Sequence, residues 1–163
     1  VAGPRQEWYA RTLHAMGEPS FLELSRRPGR CYRFLWLRTW HSPISARICR
    51  VDELGIVELR LLDGFARPGV PHRLRASRRV VIDAAEWELL EARVQAAGFW
   101  EAPRPNPLLA PEPEEGSRWV FEGVQDGRVQ VVDLYTPEEA EWVDLGLYMM
   151  ALGGVRVPER EVY

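Results

Sequence analysis

Apolar residues along this chain recur with a two-residue period in some stretches and a helical period in others, and the order of the stretches predicts an antiparallel α+β domain. Pro4 to Met16 reads as a helix, with Trp8, Tyr9, Leu13 and Met16 near one stripe, Pro4 suited to its opening turn and Gly17 to its exit. Ser20 to Leu24 reads as a short strand. The strongest strand signal is Cys31 to Trp40: Tyr32, Phe34, Trp36 and Trp40 share one face, and Leu35 and Leu37 make the other apolar. A strand apolar on both faces belongs in the middle of a sheet. His41-Ser42-Pro43 then breaks the run as a hairpin connection, and Ile44 to Val51, Ile56 to Leu62 and Arg73 to Ile82 follow as three further strands. In the last of these Leu74, Ala76, Val80 and Ile82 alternate against a cationic outer face of Arg73, Arg75 and Arg79.

Asp83 stands three residues before Glu86, the capping-box spacing, and opens a helix to Ala97 with Trp87, Leu90 and Val94 on one stripe and Gly98 at its exit. Residues 101 to 116, rich in proline and glutamate, read as an exposed extended loop. Ser117 to Val124 and Arg128 to Tyr135 form a hairpin closed by Asp126-Gly127, residues that accept positive backbone angles. Its register sets Glu122 opposite Val131 and Val120 opposite Asp133, with Trp119, Phe121, Val132 and Leu134 facing the core. Thr136-Pro137-Glu138-Glu139 reads as a second capping box, leading a final helix to about Leu152. Five to seven strands in one sheet, with three helices mainly on one face, make a single domain over residues 1 to 163.

Composition agrees with one hydrophobic core: 46% of the 163 residues are apolar and 28% charged, outside the range of disordered chains. All 21 basic residues are arginine, yet the net charge is −3 and no dense basic block appears, which argues against nucleic acid as a partner. No apolar run reaches the ~20 residues of a membrane helix. The chain begins at Val1, so a removed leader is compatible with it and both cytoplasm and periplasm stay open. Cys31 and Cys49 have no metal-ligand spacing; two small buried thiols is the favoured reading and one disulfide the other.

Candidate chemistry is sparse, and neither a cofactor motif nor a metal-ligand set emerges from spacing. Glu122 and Asp133 fall as diagonal neighbours on the non-core face of the hairpin, a separation that suits acid/base work or pairing with arginines such as Arg118 and Arg128. His41, Ser42 and Asp63 match a nucleophile, base and orienter by type, with nothing in the spacing to hold them together. The better candidates for partner contact are the cationic face of Arg73, Arg75 and Arg79, the acidic loop through Glu112, Glu114 and Glu115, and the Glu122/Asp133 surface.

Three stretches resemble an uncharacterised bacterial protein family. Arg33 to Pro43 matches its RFLWLR-T-aromatic-H-x-P hairpin, Ala97-Gly98-Phe99-Trp100 its AGFW helix end, and Trp119 through Pro137 its W-x-x-EG-V-x-DG-x-x-x-VVD-x-x-x-P hairpin. The resemblance spans roughly residues 32 to 152 and implies a shared fold without a mechanism. Val129-Gln130 stands where the family shows an aromatic-His pair, which argues against a catalytic histidine at that hairpin. Glu114-Glu115-Gly116-Ser117 replaces a Gly-Asp-Gly type segment, which argues against a metal or acid role there. The expected function is a non-catalytic protein-binding module, a toxin-neutralising immunity protein in its concrete form. The alternatives are a small hydrolase using the paired carboxylates and a cell-envelope structural protein.

Overall fold

The computed structural model describes residues 3–103 and 115–163. Six strands form one antiparallel sheet: β1 (Arg30–Arg38), β2 (Ile44–Val51), β3 (Leu54–Leu62), β4 (Leu74–Ile82), β5 (Ser117–Gln125) and β6 (Arg128–Tyr135). Their order across the sheet is β4-β3-β2-β1-β5-β6. The doubly apolar β1 lies between β2 and β5, because only a central strand has two faces to bury.

One face of the sheet carries the larger core. Phe34 stacks on Phe121 with centroids 4.6 Å apart, and Trp36 meets Trp119 at 4.7 Å. Over them lie α3 (Ala84–Ala96), through Trp87, Leu90 and Val94, and α4 (Ala140–Leu152), through Leu145, Met149 and Met150. Gly146 lets α4 approach closely: a Cβ there would stand 2.5 Å from the Trp119 ring and 2.9 Å from Phe34. The opposite face buries Leu35, Leu37, Leu62 and Val120 under α1 (Pro4–Ala15), whose Trp8, Tyr9 and Leu13 supply the predicted stripe. The two helices α3 and α4 thus share one face, while α1 covers part of the other.

Local chemistry explains most boundaries. Asp83 Oδ1 accepts from the Glu86 N–H (2.8 Å) and Glu86 Oε2 from the Asp83 N–H (3.0 Å), a complete capping box. Asp126 and Gly127 turn the β5–β6 hairpin at φ 47° and 88°, and its register is the predicted one, Glu122 opposite Val131 and Val120 opposite Asp133.

Four expectations need correction. Ser20 to Leu24 is no strand: Ser20 caps the short helix α2 (Phe21–Leu24) by accepting from the Leu22 N–H, and chain polarity alone hid the cap. The proposed box at Thr136 does not form either. Thr136 Oγ1 accepts from the Ser117 N–H at 3.1 Å, so this residue closes the β5–β6 ladder and α4 begins later, at Ala140. Cys31 and Cys49 face each other across β1 and β2 and form a disulfide, with Cα atoms 4.1 Å apart. Finally, β1 ends at Arg38 and Trp40 turns out to solvent, 49% exposed, instead of extending the aromatic face.

Candidate functional site: an arginine-rich rim at one end of the sheet

The predicted carboxylate pair lies under α1 and α2, where both partners are engaged. Glu122 accepts from Arg33 Nε at 2.7 Å. The same guanidinium, 2% exposed, donates to Glu18 Oε2 (3.2 Å) and to the Pro19 carbonyl (2.8 Å), and it covers the Phe21 ring at 4.4 Å. Glu18 in turn accepts from Arg47 (2.9 Å), Arg47 donates to Glu58 (2.6 Å), and Glu58 accepts from Arg60 (2.9 Å). Three glutamates and three arginines therefore alternate across β5, β1, the α1–α2 connection, β2 and β3. Asp133 accepts from Tyr9 Oη (3.0 Å) and stands 3.7 Å from Arg118 and 3.9 Å from Arg5. Burial, with Asp133 alongside, pushes the Tyr9 hydroxyl far above its usual pKa, fixing it as a donor. Both carboxylates are thus engaged by arginine, Glu122 by Arg33 and Asp133 beside Arg118 and Arg5.

The sequence triad is also separated by its contacts. His41 Nδ1 pairs with Tyr163 Oη at 2.7 Å, whereas Asp63 accepts from the Arg73 N–H at 2.8 Å and its carbonyl contacts His72. Burial and the Arg38 guanidinium lower the His41 pKa, against a smaller opposing effect of Glu161. The Tyr163 carbonyl accepts from Trp36 Nε1 (3.3 Å), Trp119 Nε1 (3.2 Å) and Ser117 Oγ, so the segment after α4 is fastened to the core at this end of the sheet. Gln130 donates to the Phe99 and Ala102 carbonyls at 3.2 and 2.7 Å. It ties the β6 edge to the segment following α3. Among the described residues, no cluster of His, Cys, Asp and Glu is arranged to hold a metal ion.

The features without an internal role gather where β1 and β3 end and β4 and β5 begin. The turn after β1 presents Trp40, and the β3–β4 loop presents Phe65 and Val70, 52% and 44% exposed. Phe65 meets Trp40 edge-on at 6.1 Å, and the Arg67 guanidinium covers the other aromatic contact at 4.5 Å from the Trp40 centroid. Backbone bonds hold the pieces in place: Ala66 N–H to the His41 carbonyl (3.0 Å) and Thr39 N–H to the Gly116 carbonyl (3.1 Å). A cleft of about 500 Å³ runs beside Trp40 and Arg67 towards Trp8, Arg118 and Tyr135. A neighbouring cleft shares Trp40, Glu115 and Tyr135 and continues to His41 and Glu138.

Arg73 and Arg75 extend this rim along the sheet edge. Arg73 precedes β4, Arg75 is the extra residue of a bulge opposite Leu61 and Leu62, and Arg79 lies 4.0 Å from Glu58. The bulge moves Leu74 out of step with Ala76, and β4 stays exposed from Leu74 to Arg79 because α3 and α4 pack on β3 and β2 instead. Glu115 is exposed and lines both clefts, whereas Glu112 and Glu114 lie outside the described residues. Sequence reading found the strand arginines and missed Trp40, Phe65 and Arg67. The signal was present in Phe65 and Val70, two large apolar side chains inside a loop of proline and glycine.

No helix among the described residues is long and apolar enough to cross a membrane. No known family model matches the chain, and no curated protein matches it.

Proposed function

We propose that this chain is a non-catalytic bacterial protein-binding module, with a toxin-neutralising immunity protein as its concrete form. The observation that carries the reading is the rim itself: Trp40, Phe65, Val70 and Leu74 stand exposed beside Arg67, Arg73 and Arg75 on one end of the sheet. Exposed aromatic and arginine side chains dominate the binding energy of protein interfaces, and a folded monomer gains nothing from leaving them in water. The Cys31–Cys49 disulfide suits an oxidising compartment, where a toxin-neutralising protein would meet its target. The paired-carboxylate hydrolase has no comparable support, since Glu122 and Asp133 are each held by arginine.

The test is affinity capture from the organism that encodes the chain, run in parallel with Trp40→Ala, Arg67→Glu and, as a remote control on α1, Arg11→Glu. A partner that binds the parent and the control but not the rim variants supports the reading. Capture that is indifferent to both rim variants overturns it. The immunity form adds a cellular outcome: co-expression protects cells from a toxin encoded by the adjacent reading frame, and Trp40→Ala removes that protection.

A further inference from the structure

We infer that β4 is an acceptor edge, to which the partner adds an acidic extended segment as a seventh strand; this rests on the protein-binding reading above and names its mode. A strand at a sheet edge has one row of backbone N–H and C=O groups without a ladder partner, and another chain can complete it. The sheet has two edges, β4 and β6. They are treated differently.

The β6 edge is covered. Four of the eight residues of β6 are half-buried and two buried. Gln130 anchors the Phe99–Ala102 segment against it, and Arg128 donates to the Trp100 carbonyl at 2.7 Å while covering the Trp100 ring. On the α1 side, Tyr9 and Arg5 reach Asp133. The β4 edge has no such cover among the described residues. Leu74 to Arg79 is exposed throughout, and Val81 further on is 61% exposed. The strand is nine residues long and regular from Ala76 to Ile82, beyond the bulge, which is ample for a strand-addition site.

Charge selects the occupant. Strand β4 contains Arg75, Arg78 and Arg79 and no acidic residue, with Arg73 just before it. Pairing with a second copy of this chain would set an arginine-bearing strand against another, and like charges across a ladder are destabilising. An extended segment carrying glutamate or aspartate on alternate residues would instead meet the guanidinium groups while its backbone completes the ladder. The exposed Leu74 and Val81 add apolar contacts near the ends of the strand. Edge charges also guard sheets against aggregation, and that role is indifferent to sign. Sign therefore separates the two roles.

The experiment uses the full chain and three fluorescent probes: a peptide of alternating glutamate and valine matched to the strand length, the same peptide with lysine for glutamate, and a duplex DNA of similar charge. The glutamate peptide is expected to bind, to slow amide exchange along residues 76–81, and to lose about tenfold or more in affinity with Arg75→Glu/Arg79→Glu, in which the lysine peptide gains instead. A fourth probe, the glutamate peptide with proline for valine, keeps the charge but lacks the ladder N–H groups at those positions, and should not bind. Binding that leaves β4 exchange unchanged, equal binding by the proline peptide, or preferential binding of the DNA each overturns strand addition. Failure is distinguishable from failure of the parent reading: if Trp40→Ala abolishes partner capture and Arg75→Glu/Arg79→Glu leaves it intact, the binding module stands and the acceptor edge falls.

Discussion

Replacing Arg33 by methionine tests whether the alternating chain of charges beneath α1 and α2 is a structural unit. Arg33 is 2% exposed and its guanidinium serves Glu122, Glu18 and the Pro19 carbonyl at once. Methionine fills comparable space but leaves Glu122 without its buried cation and halves the cationic support of Glu18, whose side chain is fully buried. Breaking one partner of a buried pair typically costs about 3–5 kcal/mol, because the remaining charge stays desolvated. The retained Arg47–Glu18 contact at 2.9 Å places the expected loss towards the lower end of that range. In a chain of this size a loss of about 3 kcal/mol corresponds to a fall in Tm of roughly 6–12 °C. Adding Glu122→Leu removes the stranded charge, so the double variant should be more stable than Arg33→Met alone by about 1 kcal/mol or more. Urea denaturation monitored by tryptophan fluorescence measures both quantities. A loss below about 1 kcal/mol for Arg33→Met, or strictly additive effects in the double variant, would refute the reasoning.

Two further outcomes follow from contacts already described. Reducing the Cys31–Cys49 bond, or replacing both cysteines by serine, should lower stability by up to about 3 kcal/mol in the chain-entropy picture, less whatever the β1–β2 pairing already supplies; denaturation with and without reductant checks it. His41 has a lowered pKa in the folded chain, so the unfolded histidine takes up its proton first as the pH drops. Its contribution is therefore present above about pH 6.5 and is lost as the pH falls through the folded value, with protection of the amides of residues 159–163, relative to their intrinsic exchange rates, falling over that interval and staying constant in His41→Gln.

The central place of β1 and the hairpin register were legible because periodicity is unforgiving there. A one-residue slip in β5–β6 would turn Trp119 and Phe121 out of the core, so the sequence admits one pairing. The Asp83 box was legible for a similar reason, its two side chains having no other local partner. Thr136 misled because its hydroxyl had a competitor invisible along the chain, the Ser117 N–H brought alongside by the hairpin. The same limit hid the site. Glu18 gives no hint in sequence that it will sit between Arg33 and Arg47, and the contact between Trp40 and Phe65 joins a turn to a distant loop. Periodicity also overstated Trp40 as core, since it counts alternation without knowing where a strand stops. The exposure of Arg73, Arg75 and Arg79 was legible from the sequence pattern, whereas the bulge at Arg75 and the exposure of Leu74 and Ala76 were not.

The central position of β1 also bears on synthesis. Its partner on one flank, β2, leaves the ribosome directly after it, but its partner on the other, β5, lies beyond β3, β4 and α3 in the chain. During that interval the most apolar strand of the protein has one unsatisfied backbone row and a larger-core face still waiting for α3 and α4, the condition in which nascent chains associate wrongly. Arg33, set in the middle of that strand, then has Glu18 and the Pro19 carbonyl as its partners from earlier in the chain, and its cross-strand carboxylate, Glu122, arrives only with β5. A cation buried in the finished fold thus interrupts the apolar run of the unfinished strand.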